Sequence, residues 1–208
     1  EERFRMTLIG FLLLMLDPVH LEVQAKYEPV PYECDFIMES PCSAVQDHKG
    51  RVYVLDRDAK TIFVWDENKK FLKTMGRPGR GPGEFELPNA AFLHLHENRL
   101  YVVDGLRRKV HEFHDLEFEK THKLAYGRIS KSEITANGDF VMEFQNFRGE
   151  SPTTEIWLLD RNFQKQKKLA SDPEISWQRN DKGGWTYRPY SGEHMFFAHT
   201  KLNYILLG

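Results

Sequence analysis

His94-Leu-His96, with His111 and His114 further on, is the cluster in this 208-residue chain whose residue types could hold a metal. Two histidines one residue apart alternate onto a single strand face, a spacing compatible with ligation of a divalent ion. If that strand is the innermost of its sheet, His94 faces a central channel. The sequence also argues the other way. At an offset of 48 residues His96 meets His48, at a turn, and His94 meets Gln46, a poor ligand. Packing and surface roles are the ordinary ones for histidine. No cofactor is expected; Ca or Zn at His94 belongs to an alternative in which the chain is a metal-dependent enzyme.

Other catalytic patterns are missing from the sequence. There is no GxSxG elbow and no HExxH, and Ser43, Ser151 and Ser191 stand in no motif. The glycine-rich stretch MGRPGRGPGEFELP, residues 75–88, invites a phosphate-binding reading. A P-loop, however, ends in Lys-Ser or Lys-Thr and opens a helix. Here neither follows, Pro82 removes a backbone donor, and strand-like sequence comes next. The stretch reads as a linker between two units, with Gly supplying positive-φ turns and Phe85 a wedge between them. An anion nest with Arg77 and Arg80 is its functional alternative. Arg107-Arg108-Lys109 is a small basic patch that suits either an acidic partner or a solvated hairpin tip. Asp56 and Asp104 recur after strands, where an Asx bond to the turn explains them better than catalysis does. The segment WQRNDKGGWTYRPY, residues 177–190, carries Trp177, Trp185, Tyr187 and Tyr190 among glycines and arginines. That composition is typical of recognition surfaces for a protein, peptide or sugar, and also of a long loop packed at a channel mouth.

What must position these residues is a repeat. Val52-Tyr-Val-Leu-Asp56 returns as Leu100-Tyr-Val-Val-Asp104, and at the same offset Arg51 meets Arg99, Ile62 meets Val110 and Trp65 meets Phe113. In the first unit, residues 43–46, 51–55, 61–65 and 71–75 read as four strands between Asp, Gly and Asn turns. A third unit is looser. It has a hairpin signal at Asn137-Gly138, strands at 139–144 and 155–159, and a copy of the Asp66 turn at Asp160. A fourth begins near Trp185, with strands at 194–198 and 204–207. Four strands per unit at this period describe a propeller blade, so the expected class is an all-β, antiparallel β-propeller. A helical reading fails for lack of 3.6-residue apolar spacing.

Composition agrees. The chain is 40% hydrophobic and 13% aromatic, enough for a sizeable core, and the aromatics favour strands. Net charge is −2, which argues against nucleic acid as a main partner. Residues 7–16 (TLIGFLLLML) are too short to span a bilayer. Arg3 and Arg5 precede them and Val23-Gln24-Ala25 follows, so residues 1–25 read as a secretory signal peptide and 26–208 as the propeller domain. The expected location is periplasmic or extracellular, with no stable membrane span after cleavage. In such a compartment Cys34 and Cys42 could pair; two free thiols are the other reading.

GRPGRGPGEFELP followed by NRLYVVDGLRRKVHEF resembles the NHL repeat, and KGRVYVLDRDAKTIFVWDENKKFLKTMG resembles the preceding repeat equally well. The resemblance is to bacterial exported proteins of the six-bladed, TolB-like propeller group. It is specific over residues 45–113 and looser to residue 207. It implies six blades in a full ring, of which about four fit here, and so a C-terminally truncated piece of a longer chain. Some NHL-type propellers are lyases or lactonases with a metal on the axis, which is the source of the metal-dependent hydrolase or lyase alternative. With no catalytic constellation in the sequence, the leading expectation is a non-catalytic exported module that binds a protein, peptide or glycan by its loops. A third expectation is a fragment without function of its own, whose open blade faces aggregate.

Overall fold

The computed structural model describes residues 26–87, 90–147 and 152–172, together with the strand backbones Trp177–Arg179, Trp185–Tyr187, Phe196–His199 and Tyr204–Leu207. The leader expected over residues 1–25 and Tyr190 lie outside the described residues. Three four-stranded antiparallel sheets follow one another along the chain. The first holds β1 (Pro41–Gln46), β2 (Val52–Asp56), β3 (Thr61–Trp65) and β4 (Phe71–Met75). A two-residue parallel pair, β5 (Arg77–Pro78) with β6 (Glu84–Phe85), lies in the glycine-rich linker. The second sheet holds β7 (Ala91–His96), β8 (Arg99–Asp104), β9 (Lys109–His114) and β10 (Glu117–Lys123). The third holds β11 (Arg128–Ile134), β12 (Phe140–Asn146), β13 (Thr153–Leu159) and β14 (Lys165–Asp172). Two hairpin ladders come last: β15 (Trp177–Arg179) with β16 (Trp185–Tyr187), and β17 (Phe196–His199) with β18 (Tyr204–Leu207). The first strand of the second sheet, β7, packs between β1 and β11, so these three are the inner strands of successive blades.

Central strands such as β3 and β8 are apolar on both faces because both faces are covered. All five residues of TIFVW in β3 are buried. Ile62 and Val64 enter one layer with Phe85, Leu93, Leu100 and Val102, which joins the first and second sheets. Their alternates, Phe63 and Trp65, face the other way, onto Val30, Phe36 and Met38 of the segment before β1. Tyr101 and Val103, alternating with Leu100 and Val102, enter a second layer with Ile129, Phe140 and Phe144 that joins the second and third sheets. The period-2 pattern thus assigns every other residue of one strand to a different blade junction. The expected wedge is present: Phe85 is fully buried, with ring contacts to His111 and Phe113 at 5.1 and 6.0 Å. Burying a side chain of that size contributes about 3 kcal/mol.

The hairpins are built on one recurrent turn. Asp47 Oδ1 accepts from the N–H groups of Lys49 and Arg51, Asp66 Oδ1 from those of Asn68 and Lys70, and Asp160 Oδ1 from those of Asn162 and Gln164. In each, the residue three beyond the Asp has positive φ: Gly50, Lys69 and Phe163. Thr135 takes the Asp position in the third sheet, and Gly138 the positive-φ one. Asp56 and Asp104 cap a second turn type. Asp56 accepts four backbone N–H groups, from Glu39, Ser40, Asp58 and Ala59. Asp104 accepts from Leu87 and Arg107. Both cysteines are free thiols, Cys42 facing the Leu55 carbonyl at 3.4 Å. Among the described residues no helix is long and apolar enough to cross a membrane.

One alignment from the sequence is corrected by the strand register. His94 stands opposite Tyr101 as Val45 stands opposite Tyr53, so the mate of His94 is Val45 and not Gln46. The β1–β2 hairpin closes with Asp47 and Arg51 around a three-residue tip, whereas β7–β8 closes at His96 and Arg99 around two residues. The mate of His96 is therefore Asp47, and His48 has none. The 48-residue offset holds for the two central strands, β2 with β8 and β3 with β9; it is 49 along the inner strands and 47 along the outermost.

Candidate binding face

The linker between the first two sheets gathers the arginines singled out above. Its backbone requires glycine at position 76, where φ is 74° and a Cβ would lie 2.3 Å from the Phe85 ring. Arg77 pairs with Glu84 at 2.9 Å, and Glu84 also accepts the Gly81 N–H at 2.7 Å. The bond from Gly81, then Arg77, holds the Glu84 carboxyl below the usual carboxylate range. Glu86 Oε1 accepts from two guanidinium groups, Arg80 Nε and Arg107 Nη2, each at 3.0 Å. One carboxylate thus ties the linker to the β8–β9 turn. Arg108, next in that turn, donates to the Tyr126 carbonyl at 3.5 Å, in the linker between the second and third sheets. Arg77, Arg80, Arg107 and Arg108 therefore share one face of the molecule, on which the blade linkers lie. The side chains of Arg77 and Arg80 are 72% and 79% exposed.

His94 lies elsewhere, on the inner strand β7. Its ring is buried, and Nε2 is 3.0 Å from the Ser132 Oγ of β11. At the other seam, Ser43 Oγ of β1 accepts the Leu93 N–H at 3.2 Å. Burial pushes the His94 pKa down to about 4, so the ring is neutral at pH 7. The three inner strands line a concavity of about 460 Å³ that includes Ser43, Gln46, His94, Ser132 and Glu133. Burial pushes the Glu133 carboxyl up. Among the described residues no three His, Cys, Asp or Glu side chains converge as a metal-ligand group. His111 is also buried, with Nδ1 on Thr121 Oγ1 at 3.0 Å; burial, then Lys109, push its pKa down to about 4.

Trp177 and Tyr187 are cross-strand partners in the β15–β16 ladder, and Trp185 is paired with Arg179. The structure thus brings three of the four aromatic candidates of this segment into one hairpin. Arg128 and Lys165 were not legible as candidates. Arg128 opens β11, whose bulge between Ile129 and Lys131 breaks the alternation that marks a strand. Lys165 opens β14, KQKKLASD, an outer strand too polar to show an apolar period.

Residues 35–175 match the model of the family DUF5128, described as a 6-bladed beta-propeller. No curated protein matches the chain. A protein of Bacteroides fragilis whose export is inferred is similar in structure, with a TM-score of 0.55 at 15% identity; the match covers 70% of this chain and 41% of that one. A catalytically inactive virginiamycin B lyase from Staphylococcus aureus, crystallised with quinupristin, gives a TM-score of 0.45 at 12% identity, over 85% of this chain and 56% of that one. A protein of unknown function from Bacteroides caccae gives 0.41 at 14%, over 81% and 54%. The first likeness is one of fold, and the two with scores below 0.5 add nothing to it. The chain spans less than two thirds of the length of each of these proteins.

Proposed function

Because the chain belongs to the DUF5128 family of six-bladed β-propellers, we propose that it is an exported, non-catalytic binding module of NHL-like blades, engaging an acidic protein, peptide or glycan through its linker face. The observation that carries this reading is the arginine cluster held by Glu84 and Glu86. Each guanidinium has five N–H donors, and the carboxylates occupy one or two of them. The arginines are held in place while donors remain over, which lowers the ordering cost of binding. Four arginines against two glutamates leave the face positive in a chain of net charge −2. Export is supported by the basic, apolar and small-residue order of residues 1–25.

The test uses the full-length protein and a polyglutamate peptide as probe, in low and high salt. Binding that weakens with salt and is lost on combining Arg77→Glu with Arg80→Glu is expected. A wild-type protein that ignores the peptide, or a double variant that binds as well, would defeat the reading.

A second reading, a metal-dependent hydrolase or lyase on the axis, is favoured by one observation: His94, Ser132 and Glu133 border the same concavity. A neutral imidazole is the form that ligates. Ca or Zn retained by purified full-length protein and lost in His94→Ala would support it; metal content unchanged by that substitution would remove His94 from any such site.

A further inference from the structure

The junction between the second and third sheets holds a concavity of about 480 Å³, separate from the one on the inner strands. Its wall includes Arg108, Arg128 and Lys165, and no acidic residue. Elsewhere the described arginines are matched to carboxylates: Arg51 to Asp47, Arg57 to Asp58, Arg77 to Glu84, Arg80 and Arg107 to Glu86, Arg99 to Glu112, and Arg161 to Glu97. Among the described residues Arg108 and Arg128 form no ion pair. Arg128 goes further, since its Nε is buried and has no hydrogen-bond partner among the described residues. A buried N–H of a charged group is ordinarily satisfied, and the residue that carries this one is part of the wall of the concavity.

The rest of the wall is built to match. Gly127 permits a close approach of the linker to the end of β12, because a Cβ there would lie 2.4 Å from Asn146 Oδ1 and 2.5 Å from the Gln145 carbonyl oxygen. Tyr126 and Phe147 supply aromatic surface, the latter 48% exposed. Lys165 Nζ sits 4.4 Å from the Tyr126 ring centroid and 4.1 Å from that of Trp157, fixed by cation–π contact, with Glu155 at 3.8 Å as its counter-ion. The ammonium is thereby held beside the two arginines.

We propose that this concavity binds a small organic anion, a carboxylate carried on a flat apolar ring, with Arg128 and Arg108 donating to the carboxylate and the Tyr126 and Phe147 side chains lining the space for the ring. Guanidinium forks match carboxylate geometry, and an apolar wall with a few convergent polar groups is the usual construction of a small-ligand site. The site shares Arg108 with the linker face, but it rests on Arg128 and the aromatic wall, which the partner reading does not use and its test at Arg77 and Arg80 does not touch.

Calorimetric titration of the full-length protein with benzoate, benzamide and inorganic phosphate tests it. Benzoate binds, and benzamide, which has the ring without the charge, binds about tenfold more weakly or not at all. Arg128→Gln lowers benzoate affinity about tenfold, and the exposed Arg108→Gln lowers it several-fold without touching the core. Lys73→Gln, on a distant exposed pair with Glu117, leaves it unchanged. No heat with benzoate at millimolar concentration, or equal affinity in both arginine variants, overturns the site. Phosphate binding with benzoate silent overturns the ring half of the proposal.

Discussion

Acid should loosen this propeller through two histidines in particular. His94 and His111 are both buried, and burial lowers each pKa from 6.5 to about 4. In the unfolded chain they take up a proton near pH 6.5; in the folded chain they do not until about pH 4. The stability they contribute is therefore complete above pH 6.5 and falls as the pH drops, because the unfolded state binds the extra protons. At pH 5 the difference is roughly 2 kcal/mol for each ring, or roughly 4 kcal/mol for both. With a urea dependence of about 2–3 kcal/mol/M, the midpoint should move down by about 1–2 M between pH 7.5 and 5. Asp104 and Glu133, raised by burial, act in the opposite sense over the upper part of their titration, since their neutral forms favour the folded state. The decisive comparison is consequently between the wild type and a variant combining His94→Gln with His111→Gln, in the full-length protein. The variant starts from a lower midpoint and loses most of the pH-dependent fall. A wild-type midpoint that is flat from pH 7.5 to 5, or a variant with the same slope, refutes the argument that burial keeps these rings neutral.

Other expectations follow from single contacts. Gly76→Ala puts a methyl against the Phe85 ring at a φ of 74°, and should cost about 3 kcal/mol or more, read as a lowered thermal midpoint with the fold retained by circular dichroism. Asp56→Ala strands four backbone N–H groups and should cost about 3 kcal/mol, with Asp56→Asn between it and the wild type in denaturant titration, since a single amide oxygen restores part of the bonding.

The blade architecture was legible because its cause is local. Central strands covered on both faces read as VYVLD and LYVVD, and the turns between them announce themselves by Asp at fixed places. The capping roles of Asp56 and Asp104, and the wedge at Phe85, follow from the same local chemistry. Inner and outer strands were harder. The bulge in β11 disrupts its alternation, and β14 is solvent-facing and charged, so neither shows an apolar period. The candidate anion site was invisible for a related reason. Arg128 and Lys165 are 37 positions apart, and what distinguishes Arg128 is the missing partner at Nε, which no sequence pattern records. The pairing of Arg80 and Arg107 through Glu86 is likewise a product of linker and turn meeting in space.

The unequal inner hairpins have a practical side. Between the first blade and the second, the chain has already changed the length of a hairpin tip by one residue while keeping both ladders and the packing layer between them. What the fold measures is the hydrogen-bonded ladder; the tip beyond it is ordered by its own Asp47 turn, and its length can change. Loop closure is only weakly sensitive to length. The bond between His48 and Lys49, ahead of the positive-φ Gly50, is thus a natural place to splice in a peptide tag or a fluorophore acceptor, at the cost of the Lys49 N–H bond to Asp47 and the exposed pair of Lys49 with Asp115. A label there would report on the β1–β2 tip of the first blade without entering any of the apolar layers that hold the blades together.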